Sequence, residues 1–191
     1  MKIKKNYRYI LFFLILLLSG CIIKPYLTEH DPSAGFNGSF EKTKHGLPLN
    51  WHIYTPEEYE KSYKLIFDTV HVKEGEQSLK FEIQKTDTLK FQKELMAPGM
   101  FGCIDAEIGK RYKVSFWIKN QGSEFNINVG NQFFMTYSED ILKTNENFTD
   151  WTYFEYEYTI PESNPKICFG LNFLSPGNFW IDDVRLEKLS E

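Results

Sequence analysis

Cys21 is the residue whose surroundings in the sequence point most specifically to chemistry, here covalent chemistry at a thiol. It follows four basic residues, an unbroken apolar run over 10–18 and the small residues Ser19 and Gly20. This order is typical of a secretory signal peptide, and the apolar run is too short for a transmembrane helix. We therefore expect export of the chain and cleavage after residue 20.

The Leu-Ser-Gly-Cys ending at 18–21 resembles a bacterial lipobox. The resemblance implies that Cys21 is acylated, for example with palmitate, becomes the mature N-terminus and anchors the lipoprotein to a membrane. Residues 1–20 would then be a signal peptide with a helix, and 21–35 a lipidated tether. Residue 22 is isoleucine and no acidic run follows, which by analogy with lipoprotein sorting indicates the outer membrane of a bacterial cell envelope. The alternative is an ordinary cleaved signal peptide with a chance cysteine.

The remaining reactive groups form no catalytic constellation. The four histidines lack metal-binding spacing, and no GxSxG, P-loop or Rossmann glycine pattern is present. The formal net charge is −4 although the signal peptide is basic, so the exported part is acidic and a poor binder of nucleic acid. Cys103 and Cys168 have no CxxC spacing, and an exported compartment permits either one disulfide or two separate thiols. We expect a protein that is not an enzyme.

Strict alternation of apolar and polar residues dominates the rest of the chain. Period two over five or more residues is typical of a half-buried strand. It occurs in five segments, 79–83, 112–119, 125–129, 154–160 and 167–173. Further strands are predicted at 64–72, 88–95, 132–138 and 178–187. About nine short antiparallel strands over 36–191 predict one all-β domain, a two-sheet sandwich.

Four motifs in order resemble the jelly-roll carbohydrate-binding modules of families four, nine and twenty-two, within the galactose-binding-like superfamily. They are Asn37-Gly38-Ser39-Phe40-Glu41 with Trp51 after it, then 72–81, 112–119 and 179–186. The resemblance covers about 36–189. It implies a jelly-roll β-sandwich and a non-catalytic module that binds a polysaccharide.

The same resemblance implies a structural calcium ion that joins the first strand to the last. Its ligands would be the Glu41 carboxylate, the carbonyls of Ser39, Glu74 and Gln77, and a carboxylate of Asp182 or Asp183. Calcium takes six to eight oxygen ligands, which such groups supply. The alternative is that these carboxylates only accept hydrogen bonds from loop amides. Ile181 and Val184 are three residues apart, so we expect a β-bulge between them if both face the core.

The non-core faces of the predicted strands carry large rings beside amides. Sugars are bound by this mixture, because flat rings stack on a pyranose while planar polar groups bind its hydroxyls. The candidates for contact with a glycan are Trp117, Trp151, Tyr153, Asn126, Asn128 and Asn172. The alternative reading is that loops cover the rings and that the asparagines are ordinary exposed residues.

Three functions therefore remain open from the sequence, and the third is a small hydrolase, which a deep pocket with a carboxyl pair would favour. The first is a carbohydrate-binding lipoprotein that holds glycan at the cell envelope. The second is a structural or assembly lipoprotein whose sandwich docks another envelope protein. An exposed groove lined by aromatic residues would favour the first, and a flat apolar patch rimmed by charge would favour the second.

Overall fold

The computed structural model describes residues 31–54, 63–84, 97–130, 138–162 and 165–190. The predicted signal helix, Cys21, most of the tether and the strand expected at 88–95 lie outside these residues. No helix within the described ranges has the length and apolar character needed to cross a membrane. A 3-10 turn at Pro32–Ala34 precedes the strands.

Twelve strands lie within the described residues. They are β1 (Thr43–Lys44), β2 (Leu47–Pro48), β3 (Trp51–Tyr54), β4 (Tyr63–Asp68), β5 (Ser78–Ile83), β6 (Gly99–Asp105), β7 (Arg111–Gln121), β8 (Phe125–Gly130), β9 (Ser138–Thr144), β10 (Phe148–Thr159), β11 (Lys166–Phe173) and β12 (Gly177–Lys188).

The ten longer strands form two five-stranded sheets. The first sheet has the order β10-β7-β12-β5-β4, and the second has the order β3-β6-β11-β8-β9. All neighbouring strands run antiparallel, and β1 and β2 form a separate short pair. The prediction of an all-β sandwich with two antiparallel sheets is confirmed.

Aromatic rings from both sheets fill the space between them. The ring centroids of Phe125 and Phe179 lie 4.7 Å apart, and those of Phe81 and Phe173 lie 4.8 Å apart. All four side chains are fully buried. Because each ring removes a large apolar area from water, these contacts across the sheets hold the sandwich together.

The predicted bulge in the last strand is present. The register of β12 against β7 shifts between Asp182 and Arg185. Asp183 has φ 50°, a left-handed conformation that non-glycine residues rarely adopt. The shift brings both Ile181 and Val184 into the core, as their apolar character requires.

Three strands do not follow the predicted pattern. β6 contains Gly99 and Gly102, whose lack of side chains hides the alternation, and a Cβ on Gly102 would lie 3.0 Å from the rings of Phe36 and Trp51. β9 is an exposed edge strand at 138–144, and of the strand predicted at 132–138 only residue 138 lies within the described residues. β4 ends at Asp68 because that carboxylate accepts the amides of the following turn.

The structure joins Cys103 and Cys168 in a disulfide. The two residues are directly paired in β6 and β11, neighbouring strands of the second sheet. Of the two alternatives that the sequence left open, the bridge is therefore the one formed. It links strands that are 65 residues apart in sequence.

Candidate functional site

The structure divides the predicted glycan contacts between two opposite faces. Trp117 and Tyr153 project from the outer face of the first sheet, where they are directly paired in β7 and β10. Trp151 lies in the same edge strand, at its irregularity before Thr152. The three asparagines belong to β8 and β11 of the second sheet. The rings and the amides therefore do not line one groove.

On the first sheet, the face of the Trp117 ring is already in contact with a cation. The ammonium of Lys73 lies 3.7 Å from the centroid of this ring, a cation–π contact. The ring of Tyr153 packs beside it with centroids 5.1 Å apart, and its hydroxyl donates to Glu155. A pyranose that stacked here would have to displace the lysine.

Trp180, on the same outer face, is also engaged within the protein. It is 4% exposed, and its indole Nε1 donates to Asp68 Oδ2 at 2.7 Å. The ammonium of Lys80 lies 5.0 Å from its ring centroid. Burial alone would raise the pKa of Asp68, but hydrogen bonds from Trp180, from the His71 side chain and from two backbone amides hold this pKa well below its usual range.

The outer face of the second sheet carries a different arrangement. One row across the strands consists of His52, Phe101, Gly170, Asn128 and Asp140, each opposite the next. The rings of His52 and Phe101 are stacked at 4.8 Å, with an interplanar angle of 25°. Gly170 places a gap without a side chain between these rings and the amide of Asn128.

The next row across the second sheet adds two more amides. Asn172 lies opposite Asn126, with Gly99 on its other side. Asn126 donates through Nδ2 to Asp140 Oδ1 at 2.9 Å, which orients its amide. The side chains of Asn126 and Asn128 are therefore held beside the carboxylate of the edge strand β9. We name the set Asn126, Asn128, Asn172, Asp140, His52 and Phe101 the amide face.

Two acceptors on the amide face are buried without a partner. Asn126 is 1% exposed and Asn128 is 8% exposed, yet neither Oδ1 accepts a hydrogen bond from any residue that the structure describes. A buried polar oxygen without a partner is uncommon and costs free energy.

The sequence had nominated the asparagines of this face but not His52, Phe101 or Asp140. Those three belong to β3, β6 and β9, the strands that alternation did not reveal. Once β6 is known to be a strand, the buried neighbour Met100 already implies that Phe101 faces outward. No signal in the sequence gives the pairing of these strands.

The residues predicted to bind calcium meet at a junction of three segments, 37–41, 72–77 and 182–185. Glu41 Oε1 accepts the amides of Glu76 and Gln77 at 3.0 and 3.1 Å. The Gln77 side chain donates to the Phe40 carbonyl, next to Ser39. We name this region the strand junction.

The strand junction also contains two aspartates with different surroundings. The fully buried Asp182 accepts the amides of Lys73 and Glu74 through Oδ2, at 2.8 and 3.0 Å. Burial raises the pKa of Asp182, and these amide hydrogen bonds oppose that effect. Asp183 Oδ1 instead accepts the guanidinium of Arg185 at 2.6 Å.

As arranged, these donors do not fit a calcium ion. The carboxylates of Glu41 and Asp182 accept amide hydrogen bonds, and a guanidinium lies against Asp183 and Glu74. Within the described ranges, no group of three or more His, Cys, Asp or Glu side chains is placed to hold a metal. Calcium binding stays a prediction from the sequence, which a melting experiment can test.

A family model for a carbohydrate binding domain matches residues 105–171, from the end of β6 through most of β11. In fold, the chain is similar to a family 4 carbohydrate-binding module, with a TM-score of 0.54, 19% identity and coverage of 80% of this chain and 98% of that one. A family 22 xylan-binding domain from Paenibacillus barcinonensis gives a TM-score of 0.53, 13% identity and coverage of 81% and 93%. The domain thus has the jelly-roll fold of carbohydrate-binding modules.

Sequence comparison adds one curated relative. Over 94 residues, the chain is 26% identical to an uncharacterized HTH-type transcriptional regulator, YbfP, of Bacillus subtilis (strain 168). The alignment covers 46% of this chain and 32% of that protein. The chain therefore spans about a third of the length of this relative.

Proposed function

We propose that this protein is a non-catalytic glycan-binding module that a lipid on Cys21 holds at the bacterial cell envelope. The observation that carries the binding part is the stacked pair of His52 and Phe101, which lies in one row across the strands with Asn128 and Asp140. The fold and the match of 105–171 to a carbohydrate binding domain support the same function.

The amide face supplies both kinds of contact that a sugar needs. The exposed carboxylate of Asp140 accepts hydrogen bonds from hydroxyl groups of the glycan, with Asn128 opposite it in β8 and Asn172 in the next row. The stacked rings of His52 and Phe101 provide an apolar surface for the C–H groups of the sugar.

The ligand class that fits is a neutral polysaccharide. The chain is acidic, with a net charge of −4, and the described carboxylate of the amide face is Asp140, so an anionic glycan would be repelled. Three similar solved structures are named as xylan-binding domains. Xylan oligosaccharides are therefore the first probes to use.

The envelope location is proposed from the signal sequence. The basic residues, the apolar run and the small residues before Cys21 favour export and acylation. The disulfide between Cys103 and Cys168 supports an oxidising compartment, because such bridges are rare in the cytosol. The lipid would then concentrate the module, and any glycan it binds, at the outer membrane.

A glycan array followed by titration calorimetry tests the binding function. The chain with Cys21→Ser is screened, and a glycan that binds is then titrated into Asn128→Ala and into Asn178→Ala. Asn178 is the matched control, because it lies on the outer face of the first sheet, opposite Glu82. We expect Asn128→Ala to weaken binding about tenfold or more and Asn178→Ala to leave it unchanged.

Two results would contradict the proposal. One is a protein that binds no neutral glycan on the array, which would leave docking of an envelope protein as the better function. The other is an equal loss of affinity in both asparagine variants, which would show that the amide face is not the site.

A further inference from the structure

The strand junction has a direct backbone contact at its centre. The amide of Val184 donates to the carbonyl of Gly38 at 3.0 Å, and a Cβ on Gly38 would lie 1.8 Å from the Val184 carbonyl oxygen. The segment before β1 and the bulge of β12 therefore touch without any side chain between them. What remains to be balanced at this junction is the negative charge of the carboxylates around it.

Backbone amides donate hydrogen bonds to two of these carboxylates, Glu41 and Asp182. Glu41 accepts two amides of the loop between β4 and β5, and Asp182 accepts two more from the same loop and a third from Asp183. Gly75 has φ 75°, and a Cβ there would lie 2.3 Å from Glu41 Oε1. The left-handed glycine thus lets this loop wrap closely around the Glu41 carboxylate.

Arg185 donates hydrogen bonds to the other two carboxylates, Asp183 and Glu74. Its Nε donates to Asp183 Oδ1 at 2.6 Å, and its second amino group donates to Glu74 Oε2 at 3.2 Å. The same guanidinium therefore contacts both the Asp183 and the Glu74 carboxylates. Two neighbouring carboxylates with one guanidinium between them form a bridged pair, a role for which the planar, permanently charged arginine is well suited.

We propose that Arg185 and the loop amides close this junction in place of a metal ion. Calcium would require six to eight oxygens free to turn toward it. Here each of the four carboxylates already accepts hydrogen bonds, from backbone amides at Glu41 and Asp182 and from a guanidinium at Asp183 and Glu74. The chain itself thus supplies the donors that hold the strand junction together.

The test is the melting temperature of the full chain in calcium and in chelator. We expect the same melting temperature in both for the parent protein. Arg185→Met should lower it by about 2–4 °C, because two adjacent carboxylates then lose their shared cation. Arg185→Lys should recover part of the loss, since it keeps one charge but not the planar fork.

Arg111→Met is the matched control variant. Arg111 pairs with Glu157 at 2.9 Å on the same sheet, in an exposed pair that joins β7 and β10 and includes no residue of the strand junction. Its loss should change the melting temperature by less than that of Arg185. Because the measurement does not involve glycan, it is independent of the outcome at the amide face.

Three outcomes would overturn this inference. They are a parent protein that melts lower in chelator, stoichiometric calcium binding by calorimetry, and an Arg185→Met variant that melts no lower than Arg111→Met. If Arg185→Met does not fold, the calcium titration of the parent and the melt of Arg185→Lys still decide the question.

Discussion

The ammonium of Lys73 lies 3.7 Å from the centre of the Trp117 ring. Trp117 is one of two tryptophans that the sequence placed on a non-core strand face, which made it a candidate for stacking on sugar. Lys73 instead contacts this ring from the loop before β5. The tryptophan therefore contributes to holding that loop against the first sheet, next to the strand junction.

Single substitutions can show whether glycan binds to the outer face of the first sheet or to the amide face. We expect Trp117→Ala to lower the free energy of unfolding by about 1–2 kcal/mol, through loss of the lysine contact and of packing against Tyr153. Its glycan affinity should equal that of the parent, measured by calorimetry. A tenfold loss of affinity in Trp117→Ala or Tyr153→Ala, with the fold intact, would move the binding site to the first sheet.

Acylation of Cys21 predicts a change of cell fraction on substitution. Cys21→Ser should shift the protein from the membrane to the soluble fraction and abolish labelling by a palmitate analogue, because the lipid is the proposed anchor. The measurement is fractionation with quantitative blotting. A membrane-bound Cys21→Ser protein would contradict the lipid anchor.

Reduction of the disulfide should destabilise the sandwich. Cys103 and Cys168 are separated by 65 residues, so the bridge restricts the unfolded chain and contributes about 2–4 kcal/mol. Urea unfolding with and without reductant measures this, and a Cys103→Ala, Cys168→Ala double variant should behave like the reduced parent. Reductant that lowers the urea midpoint of the double variant as well would show that the effect lies elsewhere.

Asp68 predicts a loss of stability in acid. Its pKa lies below the ordinary value of 3.8 in the folded state, so its contribution is fully present above that value. The contribution is lost as pH falls below it, toward the folded pKa. We expect Asp68→Asn to lower the free energy of unfolding by about 1–2 kcal/mol at pH 7, since hydrogen bonds from Trp180 and His71 then lack a charged acceptor.

The acid dependence supplies the check on that prediction. Urea midpoints of the parent and of Asp68→Asn should converge as pH falls below about 4, because Asp68 then binds a proton in the unfolded state before it does in the folded state. A difference that stays constant down to pH 2 would contradict the role of the Asp68 charge. Glu157→Gln, an exposed partner of Arg111, is the control carboxylate.

The sequence was sufficient for the strands whose apolar and polar residues alternate without interruption. Residues 112–119 and 167–173 show this pattern, and both became central strands with one fully buried face. The alternation did not predict β6, because its glycines interrupt the pattern. It did not predict β9, because an exposed edge strand needs no apolar face. The pairing of the strands could not be predicted either, since it joins residues far apart in the chain.

The candidate site shows the same limit. Alternation placed Asn126 and Asn128 opposite the buried Phe125 and Ile127, as the structure has them. It could not show that Trp117 belongs to the other sheet. That assignment depends on the pairing of β7 with β12 and β10, which no local pattern in the sequence records.

The position of β12 sets an order on assembly. This strand lies between β7 and β5 in the middle of the first sheet, although it is the last strand along the chain. Until residues 177–188 are available, the first sheet consists of two separate two-stranded pieces, β10 with β7 and β5 with β4. A chain delivered N-terminus first, by a ribosome or through a translocation pore, therefore cannot close its sandwich until that final strand emerges.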